Sequence, residues 1–201
     1  MENIRNAFIQ ELQTEWPTTL MEWDALDKDR TMYFGGQIRD DHYSGIVSII
    51  NLANDCNVPS VLPAAFYWLF SLITRYGYCP DRVLPLLAHN DIQRLVVGGR
   101  AINQLLLKTS SLEMGIMEWR CQDSESPCES CHLEVALWWV GLLDELRQCP
   151  LESLKFAIEE ITPGSGTLFP IGNPCRKVLA ERLDLLRKTL FGNLRIYFSL
   201  A

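Results

Sequence analysis

The sequence predicts an all-α protein, an irregular stack of about eight to ten helices. Its long segments repeat apolar residues every three or four positions, which is the period of an α-helix. The sequence shows neither the apolar–polar alternation of half-buried strands nor a repeat of fixed period. Prolines and glycines gather between the periodic segments, where helices should end. These observations indicate helices packed on helices.

The N-terminal part should form two short helices. The first has an apolar stripe made of Ile4, Phe8 and Leu12. Pro17 must end this helix, because proline disrupts the interior of a helix. Thr19 and Glu22 then form a capping-box pattern, in which each side chain bonds the backbone amide of the other residue. A second helix should therefore start here, followed by a polar loop at residues 27–41.

The central part should form a helix pair. The buried face of the third helix consists of Tyr43, Ile46, Val47, Ile50 and Ala53. The 19 residues at 56–74 carry no charge, which is close to the minimum for a membrane span. However, Pro59 and Pro63 restrict the helix to residues 60–74, roughly 22 Å against a hydrocarbon core of about 30 Å. We therefore expect a buried central helix, apolar nearly all round, and no membrane association.

The second half should contain the remaining helices. A short segment at 81–88 leads to Asn90, a suitable N-cap for a helix at 91–97. Gly98 and Gly99 are expected to break this helix before the next one begins. Three further helices are predicted at 131–146, 151–161 and 175–190, the last two separated by the turn-rich stretch TPGSGTLFPIGNP.

Charge and composition exclude several classes of protein. The chain has 201 residues and a formal net charge of −7, with its lysines and arginines scattered along it, so no nucleic-acid binding is expected. The N-terminus lacks the basic and apolar regions of a secretory signal. We therefore expect an intracellular protein, cytoplasmic or nuclear, with reduced cysteines.

The loop CQDSESPCESCH, residues 121–132, contains the candidate metal ligands. Cys128 and Cys131 have the spacing that lets two sulfurs reach one tetrahedral zinc ion. Cys175 could join them, but Gly172 stands where its own CxxC partner would be, so Cys121, Cys149 or His132 would have to complete the site. We expect a connecting loop without metal or cofactor. A zinc-stapled helical domain that uses Cys128, Cys131 and Cys175 is the alternative.

Cys131 is also the candidate nucleophile. A reactive thiolate needs a cation, an imidazolium or a helix N-terminus beside it. Cys131 stands at the start of a predicted helix, which would favour its thiolate, but acidic residues surround it in the sequence, namely Asp123, Glu125, Glu129 and Glu134. The glycine pairs in VVGGRAIN and PGSGT lack the pattern of nucleotide-binding loops. We therefore predict no catalytic or cofactor-binding residues and no enzymatic activity, with a cysteine-dependent enzyme as a remote alternative.

Most tryptophans should serve packing. Those that border helical apolar patterns are Trp16, Trp23, Trp68, Trp138 and Trp139. His42 and His89 have no partner at metal-ligand spacing and are expected at the surface or at helix starts.

Three segments in order carry a family resemblance: IRNAFIQELQTEWPTTLMEWDAL, IVSIINLANDCNVPSVLPAAFYWLF and DIQRLVVGGRAI. They resemble the helical region that follows the POZ domain in BTB/POZ-domain proteins of mushroom-forming fungi. The corresponding features here are the turn at 17–24, the helix pair at 52–67, the Gly-Arg pair at 99–100, Cys128 with Cys131, and the C-terminal helix and aromatic tail at 175–200.

The resemblance implies a BACK-like role, in which a helical region holds partner-binding elements in a fixed relation to a POZ domain. Residues 1–201 would form a single helical domain, with 1–78 adjoining the end of a POZ fold and 79–201 as its C-terminal part. Most of the POZ fold has no counterpart in the sequence. The implied function is a non-catalytic protein-interaction module, an adaptor or scaffold, with other proteins as partners and self-association left open.

Overall fold

The computed structural model describes residues 2–26, 40–76, 84–110, 129–162 and 173–200. Regular structure in these ranges is helical, and none of it is β-strand. The helices are α1 (Glu2–Glu15), α2 (20–26), α3 (Asp40–Asp55), α4 (Leu62–Tyr76), α5 (His89–Ser110), α6 (Glu129–Gln148), α7 (Pro150–Ile161), α8 (Asn173–Gly192) and α9 (Leu194–Tyr197), with a 3-10 turn at Leu84–Leu86. The predicted all-α class is confirmed, and the described ranges contain nine α-helices, within the predicted eight to ten.

The chain forms two compact units. Unit 1 contains Met1–Ala101 and Phe191–Ala201, and unit 2 contains Ile102–Leu190. Helices α5 and α8 therefore supply residues to both units. The expectation of one domain over residues 1–201 stays a prediction.

The predicted capping box starts α2. The backbone N–H of Glu22 donates to Thr19 Oγ1 over 3.2 Å. In return, Glu22 Oε2 accepts hydrogen bonds from the backbone N–H groups of Thr18 at 2.7 Å and Thr19 at 3.0 Å. These hydrogen bonds from backbone N–H groups favour the charged form of the Glu22 carboxyl and hold its pKa below the usual value. The bond from Thr18 has the largest effect, followed by the bond from Thr19. The prediction from the Thr–Glu spacing is confirmed.

Helix α4 is the centre of unit 1, as predicted. It packs against α3 and α9, and Ala65, Phe66, Tyr67 and Leu69 have no exposed surface. Aromatic rings pack against the rings of α4. The distances between ring centroids are 5.1 Å for Trp23 and Tyr67, 5.6 Å for Trp16 and Trp68, and 5.5 Å for the stacked pair Phe198 and Phe66. The tryptophans of this unit thus pack, as expected. Within the described ranges, no helix combines the length and the hydropathy needed to cross a bilayer.

The predicted helix break at Gly98 and Gly99 is wrong. Helix α5 runs through both glycines from His89 to Ser110. A Cβ atom on Gly98 would lie 2.0 Å from the ring of Phe198, and one on Gly99 would lie 2.7 Å from the ring of Phe70. The two glycines therefore let aromatic rings lie directly against the backbone of α5.

The start of α5 also differs from the prediction. Asn90, expected as its N-cap, lies inside the helix as its second residue. The position is fixed instead by Asp91, a buried carboxylate that accepts 2.9 Å hydrogen bonds from Asn54 Nδ2 and from the Arg94 guanidinium. Because Asn54 belongs to α3, this cluster ties the first turn of α5 to α3 and satisfies the buried charge.

Candidate interaction surface

Helix α6, which belongs to unit 2, has one buried face. Val135, Trp139, Leu142 and Leu146 recur at steps of four, three and four residues, and all four are buried. At 3.6 residues per turn, these positions form one stripe along the helix. The stripe fixes which side of α6 points away from the core.

The junction between α6 and α7 further fixes the position of α6. Pro150, the first residue of α7, follows the end of α6 after Cys149 alone, and proline is well tolerated at this position. Ser153 Oγ in α7 donates to the backbone carbonyl of Glu145 in α6 over 3.1 Å. The same carbonyl accepts the Cys149 backbone N–H at 3.0 Å. Both bonds go to the Glu145 carbonyl, one of the last carbonyl groups of α6, which a helix end can otherwise leave without a donor.

A buried arginine anchors the start of α7. Arg187 in α8 has only 5% of its surface exposed, and its Nε donates to the backbone carbonyl of Leu151 over 2.8 Å. A hydrogen bond from a charged donor is among the stronger ones, and it joins α8 to α7 inside unit 2. Helix α6 is therefore presented on a packed support.

The opposite side of α6 is apolar and open. Leu137 is 61% exposed and Val140 is 65% exposed, one turn apart. Gly141 lies beside them, and a Cβ added to it would meet no atom within 4 Å. We call Leu137, Val140, Gly141 and the exposed Asp144 the outer face of α6, because their spacing of i, i+3, i+4 and i+7 places them on one side of the helix.

The charge of α6 is predominantly negative. Its sequence contains four acidic residues, Glu129, Glu134, Asp144 and Glu145, against one arginine, Arg147, and one histidine, His132, and no lysine. Arg147 Nη1 lies 3.4 Å from Asp144 Oδ1, and both side chains are more than half exposed. Such exposed pairs are weak and do not neutralise the field of the helix. The aliphatic part of the outer face, Leu137 and Val140, thus has an acidic border formed by the exposed Asp144 and Glu145.

The residues predicted for chemistry lie elsewhere or outside the described part. Cys128 is outside it, and Cys131 lies in the first turn of α6 with only its backbone described. Cys175 is buried in the first turn of α8. Over the described ranges, no three His, Cys, Asp or Glu side chains are arranged to hold a metal. The zinc alternative and the absence of metal both stay predictions.

Of the two histidines singled out in the sequence, the structure describes the side chain of His89. His89 is exposed at the start of α5, with its Nε2 3.1 Å from Gln93 Nε2, as expected for a surface residue. The side chain of His42 lies outside the described residues.

Sequence reasoning missed the outer face of α6, although the sequence contains a signal. The run VALWWVGLL, residues 135–143, is apolar or glycine at every position. A helix at the surface buries a stripe little more than 100° wide, so such a run leaves apolar side chains outside the core unless the helix is buried all round. The excess identifies a helix with a second apolar side, but not which residues form it.

No protein-family model, curated protein or solved structure matches this chain.

Proposed function

We propose that this chain is an intracellular protein–protein interaction module, the C-terminal helical part of a BTB/POZ-type protein, which acts as a non-catalytic adaptor or scaffold. The observation that supports an interaction role is the outer face of α6, where Leu137 and Val140 expose most of their surface on successive turns of a firmly held helix. The BTB/POZ part of the proposal is supported by the sequence resemblance.

The energetics favour a partner on this face. Scattered exposed aliphatic residues are ordinary, whereas neighbouring ones on a rigid helix form a patch that loses little entropy on binding. Complete burial of a leucine or valine side chain contributes roughly 1.5–3 kcal/mol. Two such side chains together with their surroundings can therefore hold a transient protein contact.

Proximity labelling in the source cells tests the interaction role. The wild-type chain is compared with the double variant Leu137→Gln/Val140→Gln, in which glutamine removes apolar surface but retains good helix propensity. The matched control is Val96→Gln/Leu185→Gln, because Val96 is 66% and Leu185 is 65% exposed on other helices.

We expect a defined set of labelled neighbours to disappear with the α6 variant and to remain with the control. Identical neighbour sets for all three chains would contradict the proposal. Circular dichroism on each purified variant checks that the helices are retained.

A further inference from the structure

We propose that the outer face of α6 binds an amphipathic helix of a partner protein whose apolar stripe is flanked by lysine or arginine. This inference rests on the proposed interaction function and specifies the chemistry of the partner. It follows from two independent properties of the face, its shape and its charge.

The outer face has the residue spacing that helix packing uses on any α-helix, and the open glycine within it is particular to α6. In knobs-into-holes packing, one side chain of a helix enters a hole between four residues spaced i, i+3, i+4 and i+7 on the facing helix. Leu137, Val140, Gly141 and Asp144 have this spacing, and all four are exposed. Gly141 has no side chain, and the space above it is open. The hole is thus bounded by aliphatic groups on one side and can admit a large apolar side chain over the glycine.

The negative charge of the outer face determines which residues should flank the apolar stripe of the partner helix. Asp144, one corner of the hole, is 85% exposed, and Glu145 beside it is also exposed. A lysine or arginine that flanks the apolar stripe of the partner would approach these carboxylates, while a glutamate there would be repelled. Exposed charges separated by more than about 8 Å are screened at physiological salt, so the preference should weaken as salt is added.

The same charge argues against a second copy of this chain as the occupant. Pairing two outer faces would bring Asp144 and its acidic neighbours toward those of the other copy. Each chain also carries a net charge of −7. Like charges at an interface oppose association, so a basic partner fits where a second copy does not.

The test uses two fluorescein-labelled synthetic helices, each about three heptads long with leucine at a and d. One has lysine and the other glutamate at every e and g position, which also prevents each peptide from pairing with itself. Fluorescence anisotropy against the full chain should show binding of the lysine peptide, weakened about tenfold or more by Leu137→Gln/Val140→Gln. The control Val96→Gln/Leu185→Gln should bind like the wild type, and Asp144→Asn should reduce the salt dependence.

The variant Gly141→Leu distinguishes packing of a side chain into the hole from non-specific hydrophobic attraction. Leucine at this open position adds apolar area and fills the hole. We therefore expect it to weaken binding of the lysine peptide about tenfold, whereas non-specific hydrophobic attraction would be strengthened. Tighter binding by Gly141→Leu, or equal binding of the glutamate peptide, overturns the inference. So does a wild-type dimer in light scattering that Leu137→Gln/Val140→Gln dissociates.

The proposed function and this inference fail in different ways. If proximity labelling depends on Leu137 and Val140 but the lysine peptide does not, the partner chemistry is wrong and the interaction role stands. If labelling is the same for all chains, the interaction role fails even where the peptide binds.

Discussion

Helices α4 and α6 both contain long apolar runs, but the fold treats them differently. In α4, residues on every side of the helix are buried, and the rings of Trp23 and Phe198 lie against it together with α3 and α9. In α6, one stripe is buried while Leu137 and Val140 on the other side remain more than half exposed. The comparison shows that an apolar run predicts burial but does not say whether the covering surface belongs to the same chain.

The difference has an energetic consequence. Apolar area that α4 buries contributes to the free energy of unfolding, whereas the open area of α6 contributes only when something covers it. A polar substitution should therefore destabilise the fold in α4 and leave it intact on the outer face of α6. Paired substitutions of the same type in the two regions test this statement directly.

The largest expected effect is that of glutamine in place of a core leucine. Leu69→Gln in α4 should lower the free energy of unfolding by about 3–5 kcal/mol, because it removes buried apolar contacts and leaves an amide without hydrogen bonds. Leu137→Gln should change it by no more than about 0.5 kcal/mol. Urea denaturation followed by circular dichroism measures both. Similar losses for the two variants would show that the outer face of α6 is covered within the fold.

Alanine in place of glycine should give effects of opposite sign in α5 and α6. Gly98→Ala places a methyl group against the ring of Phe198, which is fully buried and cannot move aside freely. Overpacking of about 1–3 kcal/mol should exceed the gain of roughly 1 kcal/mol in helix propensity.

Gly141→Ala meets open space, so its gain of up to about 1 kcal/mol in helix propensity should appear as stabilisation. Thermal and urea unfolding of the two variants measure the sign. Stabilisation by both substitutions would mean that Phe198 repacks without cost.

How much the sequence predicted depends on how local each interaction is. The capping box of Thr19 and Glu22 and the burial of α4 were predicted correctly, because the first depends on residues three apart and the second on a single run. Gly98 was wrongly assigned to a break because its physical reason, the ring of Phe198, comes from far along the chain. The helix propensity of a single residue contains no information about a contact with a distant part of the chain.

The same limit applies to the candidate site. The run 135–143 indicates a helix with more apolar surface than one buried stripe requires, so an exposed apolar side of α6 was within reach of the sequence. The identity of that side depends on the tertiary positions of Trp139 and Leu142, which the period alone leaves open. The acidic border, in contrast, can be read from the sequence once the exposed side is known.

The smallest expected effect concerns the cap that starts α2 and thereby positions Trp23 against α4. Thr19→Ala should cost about 0.5–2 kcal/mol, because an amide of the first turn loses its acceptor.

Glu22, the other residue of the capping box, makes the stability depend on pH. The pKa of Glu22 is lower in the folded chain than in the unfolded one, so the unfolded chain binds more protons. The contribution of Glu22 is therefore present above its unfolded pKa and is lost as pH falls through its folded pKa. Because this carboxylate is exposed, solvent screens the interaction and the effect should be small. Urea midpoints measured from neutral to acidic pH should show a difference between wild type and Glu22→Gln that shrinks on acidification, and a difference independent of pH would mean that the charge of Glu22 has no part in capping.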